Sequence, residues 1–241
     1  MTTLHTTSNR STDALPRSWQ KLPALSGIAF AMLILIGFFI SGSDTPNNYT
    51  ATDQEWTDWA VDNQLKSRIG AFITLIAGLM FLHFAGTARS ALGSAEATIR
   101  GFVQLARVAF AGGLTGITGI TMATVTIAGA TAAGGVADPV ISRAVASTTV
   151  GPFLVAAMGF TALLSAAGLI TLRSRMFPRW VGIVALVGGL AFFVTFFTLI
   201  VGPEKDSIFG YGFFVGFLTL AIWSIATSIA VYRSVAPLRG S

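Results

Sequence analysis

The sequence predicts an all-α, polytopic membrane protein, with six transmembrane helices in a bundle and a short amphipathic helix on the outer side. Three observations carry that expectation. Of the 241 residues, 53% are hydrophobic and only 10% charged, with a mean hydropathy of +0.73, whereas soluble domains carry about 25% charged residues. The apolar residues gather into six runs of the length that a hydrocarbon core of roughly 30 Å demands. The basic residues stand at the ends of those runs and favour one side of the membrane. The chain therefore divides into a disordered cytoplasmic tail over 1–22, a six-helix domain over 23–233 and a second cytoplasmic tail over 234–241.

Residues 1–22 are rich in Thr and Ser, with Arg10, Arg17 and Lys21 against Asp13 and no apolar periodicity, the composition of a disordered tail. Span one is expected at about 25–42. Ser41-Gly42-Ser43 at its end offers small residues that a signal peptidase could use, but the long tail ahead of the run favours a retained anchor. The hydrophilic stretch 43–67 holds Asp44, Asp53, Glu55, Asp58 and Asp62 against Lys66. Within it, Thr52 followed three residues later by Glu55 fits a capping box, so a helix starts there. Glu55, Asp58 and Asp62 share one face of that helix, and Trp56, Trp59 and Ala60 an adjacent one. This pattern suits a segment lying along the membrane surface and running straight into span two, at about 69–88 between Arg68 and Arg89.

Span three, at about 108–133, has the most distinctive pattern. Ala109, Gly112, Gly116, Gly119, Ala123, Thr126 and Ala130 are spaced alternately three and four apart, which on a helix makes one continuous stripe of small residues. In lipid, helices gain little from apolar burial against one another, and such a stripe lets two backbones approach and pack closely. Span three is accordingly placed inside the bundle. Asp138-Pro139 reads as an N-cap followed by Pro at the first helical position, predicting a short surface helix that carries Arg143. Span four follows at about 150–172, Arg173, Arg175 and Arg179 fill a tight turn, span five covers 180–201, Gly202 to Asp206 turn the chain, and span six covers 208–231.

Six spans put both termini on one side. That side holds Arg10, Arg17, Lys21, Arg89, Arg100, Arg107, Arg173, Arg175, Arg179, Arg233 and Arg239, 11 of the 15 basic residues. The opposite loops hold Lys66, Arg68, Arg143 and Lys205 with 8 of the 10 acids, all but Asp13 and Glu96. The positive-inside rule makes the termini cytoplasmic, in a multi-pass plasma-membrane protein whose acidic, tryptophan-bearing loop faces outward. Trp19, Trp180 and Tyr232 then fall at the inner interface. The net charge of +5 and pI near 10.2 follow from this topology, and the scattered cations form no nucleic-acid-binding face.

The chemistry is sparse. With no cysteine, disulfides, thiolate metal sites and cysteine nucleophiles are excluded. No metal, cofactor or catalytic set is predicted: His83 and His5 are the two histidines, and there is no His-Glu-x-x-His motif. No acid lies within a span, which lowers the class of proton- or sodium-coupled transporters, and no proline interrupts the middle of one. His83, inside span two, is the candidate intramembrane functional group; the plainer reading is a neutral imidazole bonded to a Thr or carbonyl of span three. Thr115 and Thr118, with Thr121, Thr124 and Thr126, could line a polar path or simply bond back to their own helix. Phe193 and Phe197 on span five, Phe213 and Phe217 on span six, and Phe38 and Phe39 at the same depth could line a pocket for an apolar ligand, or could be packing and lipid-facing surface. Glu55, Asp58 and Asp62 could meet a cation or basic partner, or be a solvated face.

The acidic, tryptophan-bearing helix leading into Arg68-Ile69-Gly70, the Gly-rich third span, the Asp138-Pro139 helix and Phe177-Pro178-Arg179-Trp180-Val181-Gly182 together resemble a group of small integral membrane proteins common in actinobacteria. The resemblance runs from about residue 24 to 232. It implies six helices in the plasma membrane and carries over no catalytic residues, since the group has no assigned activity. Three functional classes stand at this point. The favoured one is a non-enzymatic accessory or sensor protein binding an apolar ligand or a membrane-protein partner, with membrane lipids around it and a homo-oligomer compatible with the pattern. The second is a small uncoupled transporter with a Gly/Thr path at span three. An intramembrane enzyme is third, because Ser165, Ser224 and Ser228 have no base in prospect except His83.

Overall fold

The computed structural model describes residues 17–41, 45–46, 51–99, 104–133, 138–201 and 208–235. Within them the chain folds as α1 (Arg17–Ser41), α2 (Asp53–Glu96), α3 (Leu105–Ala133), α4 (Pro139–Ser147), α5 (Val150–Ser174), α6 (Arg179–Val194), α7 (Thr198–Val201) and α8 (Ile208–Val235). A 3₁₀ turn, Thr195–Phe197, joins α6 to α7, and there is no strand among the described residues. The turn at 202–206, the peptidase-type residues Gly42 and Ser43, and the ends 1–16 and 236–241 lie outside the described residues.

Six helices form a closed ring in the order α1, α2, α3, α5, α6, α8, with α8 returning to α1. Small residues set the contacts, and they show neighbours running antiparallel. Gly27 and Gly37 of α1 lie on Phe84 and Thr74 of α2, and Gly168 of α5 lies on Gly182 of α6. Phenylalanines fill the ring. Phe30 meets Phe81, Phe81 meets Phe160, and Phe160 meets Phe192, with centroids 4.8, 6.3 and 5.3 Å apart, the offset and edge-on spacings that aromatic quadrupoles favour. The outward faces are as apolar as the inward ones: Phe72, Leu79, Met122, Leu190 and Ile222 are all exposed. A surface of that kind suits lipid rather than water.

Five helical stretches are long and apolar enough to cross a membrane: Asp53–Glu96, Leu105–Ala133, Pro139–Ser174, Arg179–Ile200 and Tyr211–Arg233. The apolar part of α1, Leu25–Ser41, is shorter.

Three expectations change. Helix α1 begins at Arg17, inside the stretch expected to be a disordered tail. Helix α2 is a single helix of 44 residues, about 66 Å at 1.5 Å per residue, so its acidic beginning runs straight into the apolar stretch as expected but is collinear with it, not a separate segment turned along a surface. Helix α3 is part of the ring wall rather than inside it, since Val108, Met122 and Val125 are exposed; across the ring it is α2 and α5 that meet, through Phe81 and Phe160.

The first turns of α2, the end of α3 and α4 build a polar lobe at one end of the ring. Thr52 caps α2 through the expected box: its hydroxyl accepts the Glu55 N–H, and its own N–H donates to the Glu55 carboxylate at 2.8 Å. Asp138 caps α4 by accepting from Val140, with Pro139 at the first turn. Trp56 is fully buried here, its indole Nε1–H donating to Ser142 Oγ at 3.1 Å, while Ser142 donates to the Ala130 carbonyl. Gln64 Nε2 donates to the carbonyls of Thr131 and Ala132, satisfying two carbonyls in the last turn of α3. Arg143 pairs with Asp53 at 2.7 Å. At the opposite, tail end, the Glu96 carboxylate accepts the N–H groups of Leu105 and Ala106 and so caps α3 from the end of α2.

Candidate functional site

The glycine stripe decides where α3 can and cannot offer a site. Gly112, Gly116 and Gly119 are buried against α5, where a Cβ on Gly112 would stand 2.6 Å from the Gly159 carbonyl and one on Gly119 2.6 Å from that of Pro152. Ala109 and Ala123 are buried on the same face. That face is closed by backbone, as a packing stripe should be.

On the lobe side of the aromatic layer, α1, α2, α3, α5 and α8 leave a partly open cavity of about 170 Å³. An apolar protein cavity of about 150 Å³ is enough to admit benzene, so this space fits a compact apolar molecule or the end of a longer one. Its walls are Ile34 and Phe38 of α1, Ile120 and Ile127 of α3, Phe153 of α5 and Phe217 of α8. Hydroxyls punctuate them at Ser41, Thr45, Thr74, Thr124 and Thr149, and no charged side chain among the described residues lines the space. Thr124 donates to the Ile120 carbonyl and Thr149 to that of Ala146, so both are committed to their own helices. Thr74, only 3% exposed, has no such partner and offers the cavity a hydroxyl that can donate or accept.

The predicted residues divide accordingly. Phe217 lines the cavity, and Phe213 supports it, stacked on Phe217 at 6.2 Å and edge-on to Phe153 at 5.4 Å. Phe193 and Phe197 face outward, in contact with each other at 6.1 Å, and therefore belong to the apolar exterior. Thr118 is exposed and Thr115 half-buried, and neither lines the cavity. His83 is exposed on the outer face of α2, while its neighbour Phe84 turns inward onto Trp223, 5.5 Å away. The expected bond from His83 toward span three is therefore absent. It is also no partner for Ser224 and Ser228, which are buried inside the ring without hydrogen bonds. Glu55, Asp58 and Asp62 are exposed on one side of the lobe. Among the described residues, no group of His, Asp and Glu is arranged to hold a metal ion.

Sequence reasoning missed Thr74, Ile120 and Phe153. Their signal is faint, since Thr74 is one hydroxyl in an apolar run and only the closing of five helices shows that it faces a space.

The class the fold defines is an all-helical protein whose long apolar helices suit a multi-pass membrane bundle. Compared with protein-family models, curated proteins and solved structures, the chain matches none.

Proposed function

We propose that this chain is a six-span plasma-membrane protein with both termini cytoplasmic, acting as a non-enzymatic accessory or sensor protein that binds a small apolar ligand in the lobe-end cavity. The observation that carries the reading is the cavity itself: apolar walls from five helices with one uncommitted, deeply buried hydroxyl at Thr74. Such a site suits a compact hydrocarbon frame bearing a single hydroxyl or carbonyl. The cavity borders Thr149, just ahead of α5, and Ser41 at the end of α1 with Thr45 beyond it, so occupancy bears on the segments that join α1 and α5 to the lobe, which is the sensing element of the proposal. The resemblance to the actinobacterial group and the charge asymmetry support the six-span, cytoplasmic-termini topology. A transport path along α3 finds less support, because α5 covers its glycine face and Thr121, Thr124 and Thr126 donate to their own helix.

Native purification followed by small-molecule mass spectrometry tests the reading. A stoichiometric apolar compound is expected, retained by wild type and lost from Ile120→Phe, whose larger side chain fills the cavity. Equal retention by that variant, or no compound at all from a folded preparation, would sink it.

A further inference from the structure

A second concavity lies at the tail end, on the outside of the ring between the start of α6 and the second half of α8. Its volume is about 480 Å³. Ile222, Ile225, Ala226 and Ile229 form an apolar floor and wall, Trp180 stands at its side, and Arg233 closes the tail end. From Ile222 to Arg233 the groove runs 11 residues along α8, about 16 Å at 1.5 Å per residue. That is half of a hydrocarbon core of roughly 30 Å, the depth of one leaflet. Trp180, half exposed at the groove's side, is the kind of amphipathic ring that gathers at the lipid–water boundary.

The charge at the groove's mouth is one-sided. Arg233 is exposed and makes no ion pair among the described residues, and exposed Arg179 adjoins Trp180. The one acid described at this end, Glu96, accepts the N–H groups of Leu105 and Ala106. An apolar slot one leaflet deep, ending in an unpaired guanidinium at interface level, matches an acyl chain with an anionic phosphate above it. We infer that this groove binds one anionic phospholipid, its chain along Ile222, Ile225 and Ile229 and its phosphate on Arg233. The site is independent of the lobe-end cavity.

Native mass spectrometry of the full chain in detergent, titrated with phosphatidylglycerol or phosphatidylcholine of identical acyl chains, tests this. Phosphatidylglycerol should bind about fivefold tighter, the contribution of one interfacial cation, and Arg233→Gln should erase that preference. Arg233→Lys should keep it, Ala226→Phe should expel both lipids by filling the groove, and Arg107→Gln, on α3, should change nothing. The proposal is overturned if the two lipids bind alike to wild type, if Arg233→Gln retains the preference, or if Arg107→Gln weakens it equally. A dimer that Ala226→Phe dissolves would likewise overturn it, by making a second copy the occupant.

Discussion

At the scale of single residues, polar side chains of the lobe pair with one another, Trp59 Nε1 excepted, and many hydroxyls inside helices bond to the preceding turn, while Ser67, Thr171, Ser224, Thr227 and Ser228 are buried without a hydrogen bond. Glu55 shows the first kind. The Thr52 backbone N–H, and secondarily its hydroxyl, hold the Glu55 carboxyl below its ordinary range. A depressed carboxylate contributes stability that is present above the unfolded value, near pH 4.3, and is lost as pH falls through the folded value. Thr52→Pro removes both donors, so the Glu55 titration, followed by NMR in a lipid disc, should move up toward the free carboxylate; an unmoved titration would refute the box as its cause. Removing the hydroxyl alone, as in Thr52→Ala, should give a smaller upward move. The box was legible from Thr52 and Glu55 because its chemistry is local. His83 is the contrast: its identity marked it, but its outward direction depends on Phe84 packing against Trp223, which no local pattern states.

At the scale of helices, close backbone approach is the organising device. A Cβ on Gly159 would run into backbone atoms of Gly112 and Gly116, which cannot move aside as a side-chain tip could. Gly86 has nothing within 4 Å of the same position. Gly159→Ala should therefore lower stability by about 1–2 kcal/mol, overpacking exceeding the gain in helix propensity. Gly86→Ala should raise it by about 0.5–1 kcal/mol. Thermal or chemical unfolding in one detergent compares the two, and equal shifts would show that α3–α5 contact does not depend on the missing Cβ. A second prediction concerns the lobe: Trp56→Phe keeps the ring but leaves Ser142 without its donor, a loss of about 1 kcal/mol, seen as faster hydrogen exchange in α4 with the ring helices unchanged. The stripe on α3 could be read from its spacing, yet its partner could not. Gly159 is a single glycine in α5, and its value comes from facing two others. The cavity was hidden for a similar reason, since it is the space left where Thr74, Ile120 and Phe153 from three helices fail to meet.

At the scale of the molecule, ring closure bears on the number of spans. Helix α1 packs along both α2 and α8, from Gly27 beside Phe84 and Ser228 to Gly37 beside Thr74. Helix α1 is thus flanked by two longer apolar neighbours, although its own apolar stretch is shorter than theirs. If α1 crosses, the two ends of the chain share a side; if only the five longer stretches cross, they do not. The chain contains no cysteine, so single cysteines report position without a background. With the proposed topology, a membrane-impermeant maleimide applied to intact cells should label Asp58→Cys in the lobe and leave Arg17→Cys, Arg107→Cys and Arg233→Cys unlabelled until the membrane is opened. Labelling of Arg17→Cys alongside Asp58→Cys would place the start of α1 outside and reduce the spans to five. Labelling of Arg107→Cys and Arg233→Cys in place of Asp58→Cys would invert the molecule, and with it the leaflet in which the Trp180–Arg233 groove meets its lipid.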